Sequence, residues 1–340
     1  GTSAEKPVAS LQSPSVGGWV EVGRFTASGA VSSMPVTSLS DKRYYMYLSH
    51  YTSNADGQRI EINSDTGSNY SQRFSTNGAS DSTGISQSNI VAGYGGSGLE
   101  EFNVGYIANK SDKEKLTQTF ASSYGASGAG TAPNRRECTG KWANTSAAIS
   151  SFDFKPATST FQSGAEVVVL GWDPADTHTT NFWEELYSGD LSGGAATYID
   201  SGTITAKKYL WYQIFSSQTI SSDFVVTFNG DTGANYNRRY SYNGGGDVFS
   251  DVNINFYPHT ANAANTPCFF NAFVINNSAN EKLIMSHDVM QSTAGAGTAP
   301  NRLEGVGKWA NTSAQITSMR VTSPSGNLNT GTYLKIWGSD

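Results

Sequence analysis

The sequence predicts an all-β chain: two tandem, homologous antiparallel β-sandwich domains of jelly-roll-like form. Three observations predict it. Charged residues make up only 15% of the chain while aromatics reach 12%, against roughly 25% charged in an average soluble protein. Gly, Ser, Thr and Asn fill the space, a mixture that favours turns and strands over helices. Short segments alternate apolar and polar residues between turn clusters. Finally, the chain repeats itself over a long period.

The strands are expected in chain order. In the first half they are "RYYMYLSHY", an aromatic strand poor in β-branched residues, then "QRIEINS", "EFNVGYIAN", "KEKLTQTF", "AAISSFDF" and "AEVVVLGW". In the second half "DFVVTFNG", "VNINFYP", "FFNAFVIN", "KLIMSHDVM", "AQITSMRV" and "TYLKIWG" play the same parts. Alternation over four to eight residues marks half-buried strands. Clusters such as "NGAS", "NGGGD", "SPSGN" and "GYGGSG" punctuate them as turns. Seven or eight such strands per half suit a sandwich of two antiparallel sheets.

The repeat is clearest where "GAGTAPNRRECTGKWANTSAAI" (128–149) meets "GAGTAPNRLEGVGKWANTSAQI" (295–316), with 18 of 22 positions identical. "DTGSNYSQRFSTNG" pairs with "DTGANYNRRYSYNG", "NKSDKEKL" with "NNSANEKL", "KRYYMYL" with "KKYLWYQ", and Trp19 with Trp183. The offset drifts only from 164 to 167 residues. This is copying of a complete domain; a solenoid would repeat every 20–50 residues or so. The expected boundaries are an N-terminal arm at 1–17, a first sandwich at 18–173, a polar linker at 174–181 and a second sandwich at 182–340.

The chemistry-bearing motifs favour structural readings. "GAGTAPNR" lacks the Lys-Ser/Thr of a phosphate loop, and Pro133 and Pro300 each remove an amide donor. It reads as a loop at the end of the sandwich. The functional alternative is an assembly or inter-domain contact made by Asn134, Arg135 and Glu137, repeated as Asn301, Arg302 and Glu304. "GYGGSG" satisfies G-x-G-x-x-G but runs into a strand where a dinucleotide site needs a helix. The triplets at Asp65–Gly67 and Asp231–Gly233 lack the apolar flanks of an aspartic-protease dyad. Turn chemistry explains them better, and no EF-hand pattern supports calcium there. Trp142 and Trp309 read as core anchors rather than sugar platforms. Arg73 and Arg239 are expected to bond loop carbonyls within their own copies.

Asn69, Asn109, Asn144, Asn276 and Asn311 open N-x-S/T sequons, candidate glycosylation sites. His50, His178, His259 and His287 are scattered, without metal or triad spacing. Cys138 and Cys268 are too few for a disulfide framework and read as free, half-buried thiols. A net charge of −6 without a basic cluster argues against nucleic acid. No apolar run reaches the roughly 18 residues of a membrane span. The polar start at Gly1 resembles neither signal peptide nor anchor, as in a processed or trimmed chain.

The order of "SDTGSNYSQRFSTNG", "KWANTSAAI" and "FQSGAEVVVLGW", repeated as "GDTGANYNRRYSYNG", "KWANTSAQI" and "LNTGTYLKIWG", resembles β-sandwich domains of bacteriophage and archaeal-virus structural proteins. The resemblance covers nearly all of each copy. It implies a virion component such as a capsid, tail, fibre or decoration protein, with no catalytic residues and no cofactor. The tandem arrangement in one chain departs from it. The expected partners are further copies of the chain and other virion proteins, at a virion or extracellular location. A carbohydrate-binding module that attaches to host-surface glycans is the alternative. A hydrolase acting through Asp65 and Asp231 is the third reading.

Overall fold

The computed structural model describes residues 18–53, 57–173, 176, 180–249 and 263–340. The expected arm, most of the linker, the strand "VNINFYP", His178 and His259 lie outside the described residues. Among the described residues every regular element is a strand. In the first half these are β1 (Val20–Thr26), β2 (Met34–Val36), β3 (Tyr44–Thr52), β4 (Gln58–Ile62), β5 (Tyr70–Thr76), β6 (Ser82–Gln87), β7 (Ile90–Val91), β8 (Glu100–Ala108), β9 (Lys115–Ser123), β10 (Asn134–Trp142), β11 (Phe152–Pro156) and β12 (Glu166–Trp172). In the second half they are β13 (Glu184–Asp190), β14 (Tyr198–Asp200), β15 (Tyr209–Ser216), β16 (Val225–Phe228), β17 (Tyr236–Tyr242), β18 (Val248–Phe249), β19 (Cys268–Ile275), β20 (Lys282–Met290), β21 (Asn301–Trp309), β22 (Met319–Thr322) and β23 (Tyr333–Ser339).

The strands form antiparallel sandwiches. An eight-stranded sheet ordered β1-β12-β3-β8-β9-β10-β5-β6 faces a four-stranded sheet ordered β2-β11-β4-β7. In the second half an eight-stranded sheet ordered β13-β23-β15-β19-β20-β21-β17-β18 faces a three-stranded sheet, β14-β22-β16. The orders correspond strand for strand, from β1 with β13 to β6 with β18. Both outer strands carry a bulge at the same place, between Glu21 and Gly23 in β1 and between Glu185 and Tyr187 in β13.

Each sandwich has its own core. Tyr45, Tyr47 and Tyr51 of β3 point inward onto Phe152, Phe154 and Phe161. Tyr47 lies across from Gly105 on β8, where a Cβ would collide with its ring at 2.0 Å. Only glycine fits beneath that ring. The second core gathers Tyr212, Phe224, Phe228, Phe270 and their neighbours. β3 is buried along almost its whole length because its other face is covered too, which explains its continuous apolar character.

Turn residues set the corners. Asn77-Gly78 and Asn243-Gly244 take positive φ (50° and 70°, 51° and 74°), as tight hairpin turns require. The repeated "DTG" triplets are Asx turns tied to the core tryptophans. Asp65 accepts the Gly67 amide at 2.9 Å and the Trp142 indole N–H at 2.7 Å. Asp231 repeats both bonds with Gly233 at 2.8 Å and Trp309 at 2.7 Å. The buried Lys115 and Lys282 lie over these indoles and donate to the Asn144 and Asn311 carbonyls.

Candidate functional site

The two eight-stranded sheets also pack against each other. Met46, Leu48, Phe102, Val104 and Val168 from the first half meet Tyr209, Phe273, Leu283, Met285 and Trp337 from the second in one apolar cluster. Phe120 and His287, which occupy equivalent positions in the two halves, meet edge to face at 4.5 Å. A pair of beads on a flexible linker would leave these side chains in water; here the strands are covered on both faces.

The first copy of the repeated loop crosses this joint. It connects β9 to β10 and lies on the second half. The Gly128 amide donates to the Glu281 carboxylate, the Asn237 side-chain amide donates to the Ala129 carbonyl at 2.6 Å, and Arg239 Nε donates to the Pro133 carbonyl at 2.8 Å. Lys308, fully buried, donates to the carbonyls of Tyr124 and Ala126 at 2.8 and 2.6 Å. Arg135 is buried, bonds Asp247 through Nε at 2.9 Å, and also pairs with Glu137. Asn134 accepts from Asn77 at 3.0 Å, which fixes the start of β10.

Among the described residues, the second copy makes none of these contacts across the joint and repeats only the local ones. Residues 295–300 are exposed, and Arg302, with 60% of its side chain in solvent, pairs among the described residues with Glu304 of its own strand. Asn301 repeats the local bond, from Asn243 at 3.0 Å. One loop sequence therefore occupies two environments, one docked and one free. Arg239 does reach a loop carbonyl as expected, but across the joint rather than within its copy; Arg73 instead pairs with Asp81 at 3.3 Å in solvent.

The joint is unequal along its length. On β3, Tyr44 is exposed while Met46, Leu48 and His50 are buried; on β15, Tyr209 is buried and Phe215 is exposed. β9 runs from exposed Leu116 to buried Ser122, whereas β20 runs from buried Leu283 to exposed Val289. Each half thus buries the end of its sheet that the other leaves open. A two-fold joint would bury equivalent residues alike, so this contact is heterologous.

A desolvated charge network closes the joint's rim. Glu166 of β12 accepts from Lys208 at 2.8 Å and from the Tyr209 hydroxyl at 2.7 Å. Burial alone would raise this carboxyl, but the bonds from Lys208, Tyr209 and Thr26 prevail and hold it down to about 2. His50 contacts Glu100 at 2.5 Å and Asn277 at 3.1 Å. Burial, reinforced by Arg135 and Arg302, lowers His287 to about 4.

The other sequence candidates fall in structural roles. Burial would raise Asp65 and Asp231, but the indole, amide and Asn donors acting on each lower them, opposite to what a proton-sharing acid needs. "GYGGSG" is a loop before β8 whose Tyr94 and Gly95 amides bond the buried Glu101. The Asn109 and Asn276 amides are buried and donate to Lys42 and Lys207 carbonyls, so the folded chain does not present these two sequons. Asn69 donates to Asp65, while Asn144 and Asn311 sit in half-buried turns. Cys138 and Cys268 are free thiols, fully rather than half buried. Among the described residues no group of three or more His, Cys, Asp or Glu is placed to hold a metal ion. No helix among the described residues is long and apolar enough to cross a membrane.

No protein-family model matches the chain, and no curated protein matches it. Among solved structures, domains LG4-5 of the mouse laminin alpha1 chain align at 10% identity over 97% of this chain and 93% of theirs, with a TM-score of 0.20. The attachment invasion locus protein Ail of Yersinia pestis aligns at 6% identity over 79% and 98%, with a TM-score of 0.14. Neisserial surface protein A aligns at 7% over 83% and 99%, with a TM-score of 0.11. Scores this low carry no argument about fold or function.

Proposed function

We propose that the chain is a non-enzymatic structural protein of a virion, a capsid, tail, fibre or decoration component that assembles through its sandwich surfaces. The observation that carries the assembly reading is the joint itself. The eight-stranded sheets of this chain bind a like sheet through aromatic side chains, desolvated ion pairs and a docked loop. Surfaces that pack against a homologous domain are suited to pack against further copies. The virion assignment is supported by the resemblance of the repeated motifs. Light scattering and negative-stain imaging of gently purified protein test it: shells, tubes or defined multimers support it, and a monomer throughout the micromolar range sinks it.

One observation favours a second reading, attachment to a glycan. Trp19, Tyr44, Tyr106 and Trp172 line an open groove of about 410 Å³, with Tyr44 and Trp172 stacked at 5.4 Å. Such faces stack on sugar rings. Saturable oligosaccharide binding that is lost in Trp172→Ala would favour this reading.

A further inference from the structure

The heterologous joint leaves two unused surfaces, and each is the counterpart of one already docked. On the second half, the free surface is the loop at 295–300 with Arg302, Val289 and Phe215, the last stacked on half-buried Tyr333. Of the first half's equivalents, Ala129, Ala132, Arg135, Ser122, His50 and Glu166 are buried, and the Gly128 amide is bonded across the joint. On the first half, the free surface is the outer part of the aromatic groove, with Tyr44 and Leu116 exposed. Their equivalents, Tyr209 and Leu283, belong to the second half's buried side of the joint.

The polar groups that receive the docked loop recur on the first half. Asp247, which holds Arg135, has Asp81 as its counterpart, and Arg239 has Arg73; these two now pair with each other in solvent. Glu281 and Lys308, which bind the loop backbone, correspond to Glu114 and Lys141. That pair meets at 2.8 Å with about two-fifths of each side chain exposed. Asn237 corresponds to Ser71, whose hydroxyl can also donate to a carbonyl. The loop on the other side keeps the full "GAGTAPNR" sequence.

We infer that the exposed second loop and its sheet end dock onto the first-half groove of another copy, repeating between chains the joint seen within one. This rests on the assembly reading above and specifies its geometry. Arg302 of one copy then pairs with Asp81 of the next, Lys141 reaches the carbonyls preceding Gly295, and Leu116 enters the apolar centre as Leu283 does. A heterologous contact repeated this way makes a ring if it closes and a filament if it does not.

The test uses two exposed positions, so folding is little disturbed. Arg302→Glu disables the loop side, and Leu116→Glu, at a residue 58% exposed, disables the groove side. Sedimentation velocity of wild-type protein should show multimers, and each variant alone should fall at least tenfold in association. Mixed in equal amounts, the two variants should give dimers and nothing larger, because one intact loop meets one intact groove. Ile220→Glu, on an exposed loop elsewhere, should assemble as wild type. Wild-type multimers indifferent to both variants would overturn this inference and leave the assembly reading standing. A wild-type monomer at all concentrations, with the groove binding oligosaccharide, would overturn both.

Discussion

Replacing Arg135 by Ala should destabilise the chain by about 3 kcal/mol, while the same change at Arg302 should cost under about 1 kcal/mol. Both residues close the same repeated eight-residue loop, so sequence context is matched. The difference lies in the surroundings. Arg135 and Asp247 are 6% and 3% exposed at the side chain, and removing one partner leaves a buried charge, which costs about 3–5 kcal/mol. Arg239 Nη1, 3.9 Å from Asp247, retains some compensation and places the expectation at the low end. The exposed Arg302–Glu304 pair is worth about 0–1 kcal/mol. With about 2.1 cal/mol/K of unfolding entropy per residue, the 340-residue chain unfolding as one unit shifts roughly 4 °C in Tm for Arg135→Ala and about 1 °C or less for Arg302→Ala. Calorimetry at neutral pH measures both, and adding Asp247→Ala to Arg135→Ala should recover part of the loss. Equal, small shifts for the two arginines would refute the buried joint.

Three further outcomes follow from named groups. Glu166 has a folded value of about 2 against an ordinary value of 4.5, so it adds stability above pH 4.5 that is lost as pH falls from 4.5 towards 2; Glu166→Gln should flatten that acid limb in urea titrations. His287 is lowered from 6.5 to about 4, so the unfolded chain binds the proton first and stability drops as pH falls from 6.5 to 4. His287→Phe, which copies Phe120, should remove that drop, and an unchanged profile would count against burial of the ring. Asp65→Ala and Asp231→Ala each strip the partner from a buried indole N–H, and unfolding midpoints should show losses of about 1–3 kcal/mol, similar in the two halves.

The sandwich architecture was legible because its inner faces obey the two-residue period: Phe152 and Phe154, or Ile60 and Ile62, alternate with polar neighbours. β10 and β21 were not read as strands, although they lie in the best-matched repeat. "RRECTGKW" looks like a polar continuation of a loop, because Arg135, Glu137 and Lys141 lie on the face turned away from the sandwich core. Of the three only Arg135 is buried, and its burial depends on Asp247, over a hundred residues away. The joint was hidden for the same reason. Leu116 and Leu283 stand in matching "EKL" triplets, yet one is exposed and the other fully buried. Local pattern cannot separate them; only the stagger between the sheets does. The loop pair Arg135/Arg302 was visible as a candidate contact, and its split into one docked and one free copy was not.

The bulges in β1 and β13 sit on the strands that end each large sheet. An extra residue there twists the rim out of plane and interrupts the row of amides and carbonyls that would template another strand. A chain whose sheet rim is broken in this way is guarded at that rim against seeding fibrils by sideways strand addition. Within the chain, contact between the large sheets runs through their broad faces, where side-chain fit selects the partner, while the β1 and β13 rims offer no regular backbone row to serve any strand.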